Sequence, residues 1–273
     1  MAGLRLRRLG RTGLMVTELG LGAMDTPTSS EGQATVEAAV EAGITFVDTA
    51  REYAGSEYLL GQVVRARGSK PYHHATTTFS HNIYGSQRDV ARSRSMLGVD
   101  RIDLYQLHDI TTRAAWDEVM DEDNGALAGL QVARYRGLIA HIGVSSHDLD
   151  ILRLAILSGA FDTVMLEYSA FFPQTSELID LAAEHDVGVI VMRPLGGSGR
   201  TSVMRGRMAE GSAGALTPAN LLRYVLSHPG VSTAIPGARY PSRIEENARV
   251  ASSHTPMGDA EQRALEEEAR ELY

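Results

Sequence analysis

Two ionisable side chains, Asp48 and His108, each close a short β-rich run, and a phenol, Tyr53, follows the first of them by five residues. A carboxylate, a phenol and an imidazole between them hold, release or accept a proton over most of the pH scale. The chemistry they suggest together is general acid–base. Two further runs end in hydroxyls, Thr76-Thr77-Thr78 and Gly143-Val144-Ser145-Ser146. Taken singly, Asp48 reads equally well as a strand-end turn residue and His108 as a structural histidine. The 273-residue chain has no cysteine, which removes thiol nucleophiles, disulfides and thiolate metal sites together. Of its 26 basic residues one is a lysine, Lys70, and 25 are arginines.

Positioning such groups requires a scaffold, and the chain alternates short apolar runs with amphipathic stretches eight times. The expected strands are 18–24, 45–50, 72–78, 102–108, 139–145, 162–168, 188–195 and 231–237. Helical patterns lie between them at 34–42, 57–67, 87–98, 115–136, 149–157, 177–184, 218–226 and 243–250. Thr217-Pro218 fits an N-cap followed by a first-turn proline. Eight βα units predict a closed (β/α)8 TIM barrel of the α/β class, and no Gly-x-Gly-x-x-Gly follows the first strand to suggest an open doubly wound sheet. Residues 4–16 read as an N-terminal β-hairpin that plugs one barrel end, and 259–272, with Ala264, Leu265 and Leu272 apolar, as a C-terminal surface helix. With no linker in sight, 1–273 reads as a single domain. In a barrel the functional groups gather at the C-terminal ends of the strands, where Asp48, Thr77, His108 and Ser145 all fall.

Several strings in order resemble the aldo-keto reductase superfamily. They are Arg8-Leu9-Gly10-Arg11-Thr12-Gly13-Leu14, Asp48-Thr49-Ala50-x-x-Tyr53-x-Gly55-Ser56-Glu57, Ile102 through His108, Ile142-Gly143-Val144-Ser145-Ser146, and Ile235-Pro236-Gly237 through Glu246-Asn247. The resemblance spans nearly the whole chain. It implies an oxidoreductase that binds NADPH, with NADH as the alternative, at the barrel mouth and passes hydride to a carbonyl. Tyr53 is then the general acid, His108 orients the carbonyl, and Asp48 anchors the family's lysine. That lysine is missing: Thr77 stands at its position. Lys70 lies seven residues upstream on the same strand, about 23 Å away at roughly 3.3 Å per residue, so it belongs to the opposite end of the barrel.

The cofactor-binding residues implied by the resemblance are Ser145, Ser146, Met165, Arg193, Leu195, Gly197, Gly237, Arg239, Arg243, Glu246 and Asn247. Ser146 and Met165 replace the usual asparagine and glutamine of the amide clamp, and Arg193 stands near the usual stacking ring. Gly196-Gly197-Ser198-Gly199-Arg200 looks like the pyrophosphate loop, and equally like a plain flexible loop tip. Arg243 is expected at the adenosine 2′-phosphate, or else in a surface pair with Glu246. Two alternatives stay open without the lysine: a dehydration or isomerisation run by Asp48 and His108, or a catalytically silent nicotinamide-binding protein. A metal-dependent hydrolase is a weaker rival, because His73 and His74 are adjacent on a strand and point to opposite faces.

The net charge of −8 argues against a polyanionic partner. No apolar run approaches the ~20 residues that span a bilayer, and Met1 to Arg5 begin no apolar leader. The expectation is a cytoplasmic monomer acting on a small carbonyl compound, with neither nucleic acid nor membrane as partner. Phe171, Phe172 and Trp116 are expected on βα loops, either lining a substrate pocket or simply packing.

Overall fold

A computed structural model describes residues 3–212 and 214–271. In chain order the elements are β1 (Leu6–Arg8), β2 (Met15–Thr17), β3 (Leu21–Gly22), α1 (Ser30–Glu41), β4 (Phe46–Asp48), α2 (Ser56–Arg67), β5 (His73–Thr78), α3 (Ile83–Leu97), β6 (Ile102–Leu107), α4 (Arg113–Met120) and α5 (Ala126–Tyr135). They continue with β7 (Ile139–Ser145), α6 (Leu149–Ser158), β8 (Thr163–Glu167), α7 (Ser176–Glu184), β9 (Gly188–Met192), α8 (Ser198–Ala209), α9 (Pro218–Ser227), β10 (Thr233–Ala234), α10 (Pro241–Ser253) and α11 (Asp259–Arg270).

Strands β3 to β10 form one parallel sheet in sequential order. Its two edges meet through the bridges Leu19↔Ala234 and Gly22↔Gly237, with Gly20 N–H donating to the Ala234 carbonyl at 2.8 Å. The sheet is the expected (β/α)8 barrel. Its first and last strands are much shorter than their apolar runs, because the chain at both places leaves the ladder after two residues.

Two clusters share the core. The larger lies between the helices and the outer sheet face. The smaller takes Phe46, Ala75, Leu104, Met165, Ile190 and Ile235 from six strand positions around the barrel, and Leu9 and Val16 from the N-terminal hairpin. The hairpin therefore plugs the barrel as expected. It is held by Arg7, which bonds Glu18 (2.8 Å) and the Leu226 and Val231 carbonyls (2.7 and 2.8 Å).

Three expectations need correction. The pattern at 115–136 is two helices, not one: Asp121 Oδ1 accepts from the backbone N–H of Asp123 (3.0 Å) and Asn124 (2.7 Å), closing a turn between them. Of the glycine-rich stretch after β9, only Gly196 and Gly197 are loop, since α8 starts at Ser198. Trp116 lies on α4, buried against Phe161 at 6.1 Å, and lines no loop. Leu265 is buried on α11; Leu272, like Met1 and Ala2, lies outside the described residues. No helix among those described is long and apolar enough to cross a membrane.

Candidate active site

Period-two alternation builds the site from the barrel interior. Asp48, Thr77, Gln106, Glu167 and Met192 each follow an inward apolar residue by two positions, so they form the next layer toward the C-terminal mouth. His108 follows Gln106 by two more, just past β6, and its backbone N–H donates to the Thr78 carbonyl at 2.9 Å. The residues between them face outward: Thr76 donates to Glu57 and Thr78 to Asp89, each at 2.8 Å, fixing β5 to α2 and α3.

Asp48, Tyr53, Thr77 and His108 converge as the sequence suggests. Tyr53, in the turn after β4, meets the His108 ring edge-on at 5.9 Å between centroids. Thr77 Oγ1 is 2.7 Å from His108 Nδ1. Asp48 is buried, and Gln106 Nε2 donates to its Oδ1 at 3.3 Å. Phe79 stacks on His108, with centroids 3.8 Å apart and planes 22° from parallel. The single lysine is elsewhere: Lys70 Nζ sits 2.6 and 2.7 Å from the Asp103 oxygens, at the barrel's N-terminal end.

Gln106, Phe79 and Glu167 were not singled out in the sequence. The signal for two of them was available, since Gln106 shares strand parity with His108, and Glu167 with Met165.

Burial governs the protonation states. It pushes the Asp48 carboxyl well above the usual carboxylate range and, with Asp48 as the next cause, raises the Tyr53 phenol; Arg193 acts in the opposite direction. Burial is the larger of the two causes. Burial also lowers His108 to about 4, against the pull of Asp109 and with a smaller push from His147. The neutral imidazole is thus the form present at pH 7.

The remaining expected residues divide by position. Ser145 closes β7, and its Oγ accepts from the Asp109 N–H at 2.8 Å, leaving the hydroxyl proton free to donate. Ser146 Oγ is bound to the Asp148 backbone at 3.0 Å. Met165 is not at the mouth but one layer below it, within the smaller core cluster. Arg193 takes a left-handed backbone (φ 48°) just beyond β9 and reaches Glu167 Oε2 at 3.5 Å, while His147 Nδ1 reaches the same oxygen at 3.3 Å. A cavity of about 540 Å³ opens beside them, lined by Ser146, His147, Asp148, Glu167, Phe172 and Gln174. Tyr168 packs on Tyr224 at 5.3 Å and away from this mouth.

A second group gathers after β9 and β10. Leu195 packs on the larger core cluster, and its carbonyl accepts from Thr201 at 3.2 Å. Gly197 (φ 85°) precedes α8, and Arg200 lies over the Phe171 and Phe172 rings at 5.0 and 5.2 Å. Gly237 bridges Gly22, close to Asp25, and Arg239 approaches Asp25 at 4.0 Å. Arg243 Nη1 bonds both Glu246 oxygens at 2.9 and 2.8 Å, and Arg205 adds a third contact at 3.3 Å. This is the surface pair, enlarged by one residue. Asn247 is buried one position on. Among the described residues no group of three His, Asp or Glu side chains is placed to hold a metal ion; His73 faces Asp103 at 3.6 Å while His74 is buried beside Tyr72.

Known proteins resemble this arrangement along its whole length. The Bacillus subtilis oxidoreductase YqkF is 24% identical over 307 residues, covering 98% of this chain and 97% of that protein. The Arabidopsis thaliana L-galactose dehydrogenase is 26% identical, covering 98% and 95%. The holo form of an aldo-keto reductase from Bacillus halodurans superposes with a TM-score of 0.80 at 23% identity, covering 97% of this chain and 96% of that one. A Klebsiella pneumoniae aldo-keto reductase solved in complex with NADPH gives 0.77 at 22% identity, covering 97% and 95%. Residues 18–213 match the profile of the aldo/keto reductase family, and with that match over most of its length the chain belongs to the aldo/keto reductase family.

Proposed function

We propose that the protein is an NADPH-dependent oxidoreductase that reduces a carbonyl, with Tyr53 as the proton donor and His108 as a second donor to the same oxygen. The observation that carries this reading is the edge-on placement of Tyr53 against His108 at the barrel mouth, above the buried Asp48. A neutral N–H and a neutral O–H donor on adjacent side chains suit an oxygen on which negative charge develops.

The residues beyond β9 and β10 fit a phosphorylated dinucleotide. Helices α8 and α10 both begin there without a side-chain cap, and the positive end of a helix favours an anion. Arg239 precedes α10 and Arg243 lies in its first turn, which favours a 2′-phosphate and hence NADPH over NADH, and Glu246 holds Arg243 and Arg205. At the mouth, the free proton of Ser145 suits the carboxamide oxygen of a nicotinamide. When bound, the nicotinamide supplies the hydride. Toward that chemistry Tyr53 would give its proton to the carbonyl oxygen, and His108 would orient that oxygen. Asp48 supports this layer from below. Burial raises the Asp48 carboxyl, and Gln106 Nε2 donates to its Oδ1, which anchors the side chain inside the barrel.

The test pairs binding with turnover. Titration with NADPH should give a micromolar or tighter dissociation constant in wild type and in Tyr53→Phe alike. Carbonyl reduction across an aldehyde and ketone panel should fall about 10² to 10⁴-fold in Tyr53→Phe. Undiminished activity in that variant would refute the assignment.

A further inference from the structure

We propose that Thr77, at the position where the family carries lysine, is a positioning residue that fixes His108 as its Nε2–H tautomer. The inference rests on the reading of His108 as a carbonyl-binding donor, but its test in the free protein stands apart from that reading.

Thr77 is 1% exposed, and among the described residues its hydroxyl meets one polar atom, His108 Nδ1 at 2.7 Å. A hydroxyl brings one proton to that contact, and an imidazole nitrogen brings either a proton or a lone pair. If Nδ1 carried the proton, Thr77 Oγ1 would accept it and its own hydroxyl proton would be stranded in a buried site. A buried donor left unpaired has lost its bond to water and gained none in return, which disfavours that arrangement. If Nδ1 is bare, Thr77 donates to it and both groups are satisfied. The second arrangement places the single proton of the neutral ring on Nε2.

The surroundings keep the ring in one orientation and one charge state. Phe79 covers a face at 3.8 Å, Tyr53 abuts it edge-on, and the His108 backbone is tied to Thr78. The charged and titratable groups near it are Asp109, His147 and Tyr53, and burial outweighs the Asp109 carboxylate in holding the imidazole neutral. A neutral imidazole whose far nitrogen is pinned by a donor can only give a hydrogen bond at the mouth. The site therefore selects an acceptor oxygen, a carbonyl, over a hydroxyl that must be deprotonated. The hydroxyl of Thr77 does for His108 what an acceptor at Nδ1 would undo.

The experiment is ¹⁵N NMR of the histidine ring in the full-length free protein, with His108 assigned by its loss in His108→Gln. At pH 7 the expected pattern is a protonated Nε2 and a bare, hydrogen-bonded Nδ1. Thr77→Ser keeps that pattern. Thr77→Val shifts the Nδ1 resonance toward that of a free lone pair and raises the His108 titration midpoint, because a hydrogen bond to the neutral form has been removed. In turnover, Thr77→Val lowers kcat about tenfold or more, Thr77→Ser recovers it, and the NADPH dissociation constant stays put. A protonated Nδ1 in wild type overturns the proposal without need of any variant. So does a Thr77→Val protein whose His108 nitrogens and titration match wild type. If Tyr53→Phe retained activity while the wild-type spectrum showed Nε2–H, the reductase reading would fail and the tautomer assignment would stand.

Discussion

Gln106 Nε2 donates to Asp48 Oδ1 at 3.3 Å inside the barrel, and Thr77 Oγ1 bonds His108 Nδ1 at 2.7 Å. Two neutral side chains on adjacent strands thus meet the ionisable groups here, and among the described residues this layer holds no cation. Among the described residues Asp48 has no ion-pair partner to offset its burial, and burial raises its carboxyl well above the ordinary range. The consequence for stability has a definite sign. Below about pH 3.9, the carboxylate reference value, Asp48 is protonated in both folded and unfolded chains. As pH rises, the unfolded chain releases the proton while the native chain keeps it, and stability is lost until the native group ionises. Asp48→Asn keeps an acceptor for Gln106 and cannot ionise. It is expected to raise the unfolding free energy at pH 8 by on the order of 1 kcal/mol, with no gain at pH 3, as read by urea unfolding at both pH values.

Introducing a lysine beside Tyr53 should move the pH at which the site works. An ammonium beside Tyr53 favours the phenolate, lowering its pKa by about 1–3 units. Oxidation of an alcohol needs that phenolate and reduction needs the phenol. Thr77→Lys is therefore expected to shift the pH dependence of alcohol oxidation to lower pH by about 1–3 units relative to wild type. It also removes the hydroxyl from His108 Nδ1, so the position of the pH profile is the quantity to follow, and not the rate at one pH. A profile that stays where wild type has it would count against Tyr53 as the proton carrier.

Much of this arrangement was legible in the sequence, for a physical reason. Strand parity is rigid, so once Asp48, Thr77 and His108 were placed on strand ends their convergence followed from barrel geometry. The same parity carried Gln106 and Glu167, but parity says which face a residue takes and not which partner it finds. The Gln106–Asp48 bond depends on the distance between two side chains across β5. Phe79 was hidden because it lies one residue past a strand, where alternation stops. Helix α8 was missed because its sequence, with Gly199 and Gly206 and, among its described side chains, Met204 alone well buried, has almost no apolar stripe. The break between α4 and α5 was written in Asp121-Glu122-Asp123-Asn124-Gly125, a turn-forming string that the longer apolar pattern masked.

Lys70 offers a check on the geometry. Its ammonium bonds both Asp103 oxygens at 2.6 and 2.7 Å, at the end of the barrel away from Tyr53. Lys70→Met removes the chain's only lysine without touching the mouth. NADPH affinity and carbonyl reduction are expected to stay within about twofold of wild type, since substitutions remote from one another act independently. A large loss of turnover at unchanged stability would place this lysine in the chemistry after all.

His74 predicts a pH effect of the opposite sign from Asp48. It is fully buried beside Tyr72, both ring nitrogens lack hydrogen bonds, and burial lowers its pKa from 6.5 to about 4. Between those values the unfolded chain binds a proton that the native chain refuses, so the stability His74 contributes is lost as pH falls from about 6.5 to 4. The full effect is on the order of 3 kcal/mol. Raised carboxyls such as Asp48 and Glu57 act the other way over the same range, so the wild-type slope is a difference and the variant is the informative comparison. His74→Leu, of similar volume and without ring nitrogens, should unfold less readily than wild type at pH 4.5, and its advantage should exceed that at pH 8.

Two glycines of the N-terminal hairpin separate backbone strain from packing. Gly10 and Gly13 both have left-handed backbones, with φ of 48° and 70°. A Cβ on Gly13 meets nothing within 4 Å, whereas on Gly10 it would lie 2.1 Å from Gly188 N and 2.6 Å from Val187 C. Gly13→Ala then costs the conformation alone, about 1 kcal/mol. Gly10→Ala must also push the hairpin off β9, drawing Leu9 out of the barrel interior, and the expected cost is about 3–5 kcal/mol. At about 2–4 °C per kcal/mol for a chain of this size, Tm should fall by a few degrees for Gly13→Ala and by about 10 °C or more for Gly10→Ala. The plug lies at the end opposite Tyr53 and His108, so the folded fraction of either variant should bind NADPH as wild type does. Equal Tm losses in the two variants would show that the hairpin is not seated against β9 as the Gly10 to Gly188 approach requires.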